Sequence, residues 1–191
     1  MGSRSMIDAS VNGLELRFET EPSLFSPTRV DRGTLAMLSS IRFEPDDKVL
    51  DLGCGYGPVG IYAATIIGAE RVWMVDNDPI AIDFAAKNLA LNGVQGANLV
   101  LSDGFRDLRE TNFTKILCNP PYHVNFSVPK HFIEKGFNRL VLEGSMYLVT
   151  KRKTWYYNKL RGIFGGARVR EVDSYYLFEA TKKSFSYAAR S

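Results

Sequence analysis

The chain has 191 residues and a formal net charge of +3; 45% of its residues are hydrophobic and 24% are charged. That is enough apolar material for one domain with a full core, short for two, and incompatible with wholesale disorder. No apolar run approaches the ~20 residues needed to span a bilayer, and two cysteines do not make a disulfide scaffold.

Met1 to Ser5 carries no apolar signal-peptide core and reads as a cloning remnant or a disordered start, with Met6 as the expected native beginning. A cytoplasmic, single-domain protein is the expectation. Around Asn12-Gly13 apolar residues alternate from Val11 to Phe18, which predicts short strands or a hairpin. A loop with Pro22 and Pro27 follows, and the spacing from Thr34 to Ile41 predicts an amphipathic helix. From there strands and helices alternate. Strands are expected over 48–52, 71–75, 98–101, 115–118 and 145–149, with a closing pair over 167–172 and 175–180. Helices are expected over 58–67 and 79–92, through Phe132 and Leu140, and around 155–164. Pro58 suits a first helical turn and Gly93 a C-terminal cap. The alternation predicts an α/β fold with a mainly parallel sheet covered on both faces, whose ligands bind beyond the C-terminal strand ends. The expected division is N-terminal strands and helix over 6–45, an α/β core over 46–183 and a tail over 184–191.

Asp51-Leu-Gly-Cys-Gly-Tyr-Gly57 lies where the first core strand gives way to a helix. Glycines there let the backbone turn tightly and approach a ligand, and the helix start offers N–H groups to a polar one. Gly55-Tyr-Gly-Pro-Val-Gly60 also fits the GxGxxG dinucleotide pattern, with Asp76 near the offset of a ribose-binding acid. Asp51 tilts the reading away from a dinucleotide. A carboxylate inside a strand needs partners, and this one can fix the turn or meet a ligand's ammonium group.

Asn119-Pro120-Pro121-Tyr122 directly follows another apolar strand. The two prolines fix the chain and remove two N–H donors, and Asn119 supplies a carbonyl acceptor. The Asn119 side chain and the Pro120 main-chain carbonyl can together accept both hydrogens of an NH2 group, and Tyr122 offers a flat face for stacking. That suits transfer to a planar amine, where the work is positioning and polarisation.

The glycine segment resembles the first motif of the class I S-adenosylmethionine-dependent methyltransferases. The resemblance implies a Rossmann-like, seven-stranded, mainly parallel sheet ending in an antiparallel hairpin, with S-adenosylmethionine as cofactor. Asp51, Gly53, Gly55 and Gly57 would hold the cofactor's amino-acid end, Asp76 its ribose and Asp103, in Ser102-Asp-Gly104, its adenine. The Asn-Pro-Pro-Tyr segment resembles the catalytic motif of amino-group methyltransferases, with Asn119, Pro120 and Tyr122 presenting the target amine and Pro121 and His123 beside it. The stretch Phe25-Ser26 to Asp31-Arg-Gly33-Thr34, His123 after the motif, and the ending Tyr175 to Lys182 are similar to the bacterial small-subunit rRNA guanine-N2 methyltransferases. Longer members of that family carry a second, degenerate N-terminal copy of the domain, and this chain looks like the single-domain branch.

Between 151 and 170 there are seven basic residues, beginning with Lys151, Arg152 and Lys153, and no acidic one; Trp155, Tyr156 and Tyr157 are interleaved with them. Such a patch can clamp RNA phosphates, and Lys130, His131 and Lys135 extend it. An rRNA or ribosomal particle is the expected partner, and no membrane or metal is expected. Two histidines without partners at ligand spacing do not suggest zinc. Cys54 and Cys118 are expected to line the cofactor cleft as small fillers. The competing readings are methylation of a protein glutamine, of adenine N6 or of a small-molecule amine, and a non-catalytic RNA- or partner-binding module. A nicotinamide oxidoreductase comes last. Oligomeric state is left open.

Overall fold

A computed structural model describes residues 4–120 and 126–188. The chain opens with a two-stranded antiparallel hairpin, β1 (Ser5–Val11) and β2 (Leu14–Thr20). Asn12 and Gly13 both take positive φ, the turn geometry whose twist matches the strands. Ser5, read as part of a remnant, is the first strand residue and pairs with Thr20, while Arg4 forms an ion pair with Glu19.

After α1 (Arg32–Ser40), the main sheet and its helices alternate. In order come β3 (Val49–Leu52), α2 (Pro58–Ile67), β4 (Val72–Asp76), α3 (Pro79–Leu91), β5 (Asn98–Leu101) and β6 (Phe113–Cys118). Then follow α4 (Ser127–Arg139), β7 (Leu140–Thr150), α5 (Lys153–Phe164), β8 (Arg168–Val172) and β9 (Tyr175–Thr181). Among the described residues the sheet has seven strands in the order β5-β4-β3-β6-β7-β9-β8, parallel from β5 to β7 and antiparallel through the β8–β9 hairpin. This is the architecture the sequence predicts.

Strand alternation divides the interior into two cores, one on each face. Val49 of β3, Val72 and Met74 of β4 and Leu117 of β6 face α1, α2, α3 and the N-terminal hairpin. Leu50, Leu52, Val75 and Ile116 face α4 and α5. Both faces are buried, so the strands read as near-continuous apolar runs.

One junction differs from the expected one. Leu140, expected in a helix, starts β7, which is much longer than the 145–149 predicted. Its early part is irregular: the pairing with β6 shifts register, Glu143 has φ 63°, and a side chain at Gly144 would meet three backbone carbonyls at about 3.0 Å. Apolar residues in such a stretch fit helical spacing equally well, so periodicity cannot place the switch. In the tail, Tyr187 packs edge-on against Phe137 and donates to the Glu134 carbonyl.

Candidate functional site

The chain builds β3, β4 and β5 outward in one direction, then returns to place β6 on the other side of β3. The loops that follow β3 and β6 therefore part at a switch point, where open α/β sheets form their ligand clefts. A cavity of about 310 Å³ opens there. Asp51, Gly53, Gly55, Asp76, Asp103, Asn119 and Pro120 all line it, so residues scattered over almost 70 positions of sequence share one space. Leu52, Val75, Val128 and Phe132 add apolar wall.

The glycine turn is held by backbone and carboxylate contacts. Gly53 and Cys54 both donate their N–H to the Val75 carbonyl, at 2.8 and 2.9 Å. Gly55 donates to Oδ2 of Asp76 at 2.8 Å, and Oδ1 of the same carboxylate accepts from the Asp78 N–H at 3.0 Å. Gly53 and Gly55 need positive φ, 77° and 55°, which is what glycine at these positions provides. Gly57 does not line the cavity as expected. It caps α2 with φ 103°, and a Cβ there would meet Ile61 and Met74 at about 3 Å.

Asp51 is buried and accepts from the Gly60 N–H at 2.8 Å, so it ties β3 to the first turn of α2. Burial pushes its carboxyl up to about 7; the Gly60 bond opposes the shift and the nearby Asp76 charge adds to it. A carboxylate so deprived of water gains most from a cationic neighbour. Burial, with the charges of Asp51 and Asp76, also raises the thiols of Cys54 and Cys118 well above their usual range, which suits fillers and not nucleophiles. Cys54 lines the cavity, but Cys118 points into the core beneath α4 and α5, contrary to expectation. The last residue of β6 alternates to the face opposite Leu117.

Beyond β5, Ser102 donates its N–H to the Asp76 carbonyl, its hydroxyl donates to the Gly104 carbonyl and it accepts from the Asp107 N–H. These bonds fix the turn that carries Asp103. Beyond β6, the Asn119 amide nitrogen donates to Oδ2 of Asp31 and to Oγ1 of Thr34, both at 3.0 Å. Pro121, Tyr122 and His123 lie outside the described residues.

Sequence reasoning singled out the stretch from Phe25 to Thr34 by resemblance alone; its role follows only from these contacts. It also passed over Asn88 of α3, fully buried, which pairs with both backbone groups of Glu19 and donates to the Tyr56 carbonyl in the glycine turn. Asn92, one turn on, does the same for Arg17. Two asparagines four apart on a helix are the only sequence trace of this.

Lys151, Arg152 and Lys153 are exposed but do not line the cavity. They sit over Tyr175, Phe126 and Tyr176, respectively. The aromatic residues among the basic ones are less available than expected. Tyr156 is in the core and Trp155 stacks on Phe126 with ring centres 4.4 Å apart, which leaves Tyr157 exposed. Lys159 pairs with Glu134 and Arg168 with Glu179, while Lys130, His131 and Lys135 are exposed on neighbouring α4. No helix among the described residues is long and apolar enough to cross a membrane.

The family described as methyltransferase small domain matches residues 15–179. A ribosomal RNA small subunit methyltransferase C of Pseudomonas putida is 33% identical over 165 residues, covering 84% of this chain and 49% of the relative. A ribosomal RNA large subunit methyltransferase G of Alteromonas mediterranea is 31% identical, over 91% of this chain and 45% of the relative. The chain thus spans about half the length of these curated relatives. A solved T. thermophilus 16S rRNA N2 methyltransferase in complex with AdoMet and guanosine superposes with a TM-score of 0.82 at 29% identity, over 94% of this chain and 51% of that one.

Proposed function

This chain belongs to the methyltransferase small domain family, and from that premise we infer that it transfers a methyl group from S-adenosylmethionine to an exocyclic amine of ribosomal RNA, guanine N2 first among the candidates. The observation that carries this reading is the cavity at the switch point, which gathers the carboxylates of Asp31, Asp51, Asp76 and Asp103, the positive-φ glycines Gly53, Gly55 and Gly104, and the start of the Asn-Pro-Pro-Tyr segment. Its size falls within the range of small-molecule sites. The buried Asp51, which lacks water to stabilise its charge, fits the ammonium end of the cofactor, and the apolar wall of Leu52, Val75 and Phe132 fits a planar base.

In this reading Asp51, Gly53 and Gly55 hold the cofactor's amino-acid end, with Gly57 acting indirectly by seating α2. Asp76 receives the ribose hydroxyls and Asp103 faces the adenine. When bound, the cofactor supplies an electrophilic sulfonium methyl. The Asn119 carbonyl oxygen and the Pro120 carbonyl accept the two amine hydrogens, which draws electron density onto the nitrogen and aims its lone pair. Tyr122 stacks on the base, with Pro121 and His123 at its edge. The proton lost on methylation leaves to solvent, so no strong base is needed. Lys151, Arg152 and Lys153 meet RNA phosphates, and a target base must be unpaired or flipped for its amine to be reached. The small- and large-subunit relatives differ in substrate, so both rRNAs belong in the test.

Calorimetric titration with S-adenosylhomocysteine, run beside a nicotinamide dinucleotide, tests the cofactor, and a labelled-methyl assay on both rRNAs tests the acceptor. Binding of the homocysteine compound alone, with label entering a guanine, is expected. Preference for the dinucleotide would sink the reading.

A further inference from the structure

Asn119 is useful to an amine only if its carboxamide presents oxygen, not nitrogen, to the cleft. A free carboxamide can flip by 180° with little change in shape. Here both amide hydrogens are committed, one to Oδ2 of Asp31 and one to Oγ1 of Thr34, on the α1 side of the group. The planar geometry of the amide then turns the carbonyl oxygen away from α1.

Two groups besides Asn119 fix Asp31. It caps α1 by accepting the Thr34 N–H into Oδ2 at 3.1 Å, and it accepts the Tyr175 hydroxyl into Oδ1 at 2.9 Å. Tyr175 is the first residue of β9, 144 positions away in sequence. Its ring lies so close to Gly33 that a Cβ there would fall 2.5 Å from the ring edge. That explains glycine at a helical position where φ is not positive: it opens the slot through which the phenol reaches Asp31.

We propose that Asp31 is a positioning residue that sets the orientation of the Asn119 carboxamide, and that the last hairpin of the sheet takes part in this through Tyr175. The proposal rests on the reading of Asn119 as an acceptor for the target amine. Neither Asp31 nor Tyr175 has to touch the amine for the relay to operate. Each acts by holding the next.

Two replacements separate positioning from mere support of the helix. Asp31→Ser keeps an N-cap oxygen for α1 but is too short to span from the cap to both Asn119 and Tyr175. Asp31→Asn keeps an oxygen toward Asn119 and Thr34 and turns its NH2 toward the Tyr175 oxygen. With labelled methyl transfer to rRNA as the assay, Asp31→Ser is expected to lower kcat by about tenfold or more, as loss of one or two directing hydrogen bonds would. Affinity for S-adenosylhomocysteine, KM for RNA and melting temperature should stay near wild type. Asp31→Asn is expected to restore kcat to within about threefold, and Tyr175→Phe to fall between the two.

An unchanged kcat in Asp31→Ser overturns the proposal. So does a rise in KM alone, which would make Asp31 a direct substrate contact, or loss of cofactor affinity in step with kcat. Asp31→Asn as inactive as Asp31→Ser would mean that the charge, and not the orientation, matters, and would also overturn it. If Asp31→Ser does not fold, Thr34→Val removes the other acceptor while keeping shape, and the same split between kcat and the remaining quantities is required of it. Asn119→Ala, assayed in parallel, separates the two claims: full activity in that variant would remove the acceptor reading itself, whatever Asp31 does.

Discussion

Asn119 and Asp76 face one cavity but carry different loads. Asn119 is held by Asp31 and Thr34 at the start of α1 and offers an acceptor near where the amine is expected. Asn119→Ala should therefore lower turnover by about 10- to 1,000-fold, the range for removing one directing group at a reacting centre, with S-adenosylhomocysteine affinity nearly intact by calorimetry. Parallel loss of both would take the acceptor role away from it. Asp76 holds Gly55 in place as well as facing the cavity. Asp76→Ala should weaken cofactor binding first, and an unchanged Kd would show that the ribose is held elsewhere. Asp51 adds a pH dependence. Its folded pKa, about 7, lies above its ordinary value, so ionising it costs more in the folded chain than in the unfolded one. The penalty is absent below about pH 4, grows as pH rises and is complete above about 7. Asp51→Asn keeps an acceptor for Gly60 without the charge. In the ligand-free protein it should raise the melting temperature at pH 8, with the gain shrinking towards pH 5. An equal gain at both pH values would mean that the buried carboxylate is not the cause.

At the scale of single elements, α2 shows how packing overrides local preference. Gly60 sits inside a helix, where alanine is ordinarily better by about 1 kcal/mol. Yet a Cβ at Gly60 would meet Met74 of β4 at 2.5 Å, and Met74 is fully buried. Overpacking of this kind costs about 1–3 kcal/mol, so Gly60→Ala should lower the denaturant midpoint without changing the slope of the transition. A stabilised variant would show that Met74 has room to move. The N-terminal hairpin makes a related point. Among the described residues β2 pairs with β1 alone, and Asn88 of α3 and Asn92 at its C-terminal cap take over as partners for the backbone of Glu19 and Arg17. Those asparagines look like ordinary polar helix residues in the sequence, since nothing local distinguishes a side chain that completes a sheet from one that faces water.

Over the whole molecule, charge and cavity are laid out on the same side of the sheet. Lys151, Arg152 and Lys153 follow the C-terminal end of β7, the end to which β6 delivers Asn119. They are exposed and lie over the rings of Tyr175, Phe126 and Tyr176. Replacing all three with glutamine should reduce the slope of log K against log salt for RNA by about 2–3. It should leave S-adenosylhomocysteine affinity and melting temperature near wild type. A slope equal to that of the parent would remove the patch from the RNA-binding surface. Lys159 and Arg168, already paired with Glu134 and Glu179, should contribute less to the same slope.

The order of strands and helices, the two-sided burial of the sheet, the glycine turn and the position of Asn119 and Pro120 after β6 could all be read from the sequence, because each depends on near neighbours: periodicity, turn chemistry and residues that must adopt positive φ. Leu140 was misplaced because an apolar residue at a helix–strand boundary satisfies both periods, and only its pairing with Phe113 decides. The seating of α2 by Gly57 was not legible, because a glycine needed for its lack of a side chain and one needed for ligand approach look alike in a motif. The separation of Cys54 from Cys118 required knowing which face each strand end presents. The network from Tyr175 through Asp31 to Asn119 joins three segments at positions 31, 119 and 175. Local sequence determined that each of those segments forms. That their side chains meet was decided by tertiary structure, since hydrogen bonds between distant residues depend on how the sheet and its helices close in space.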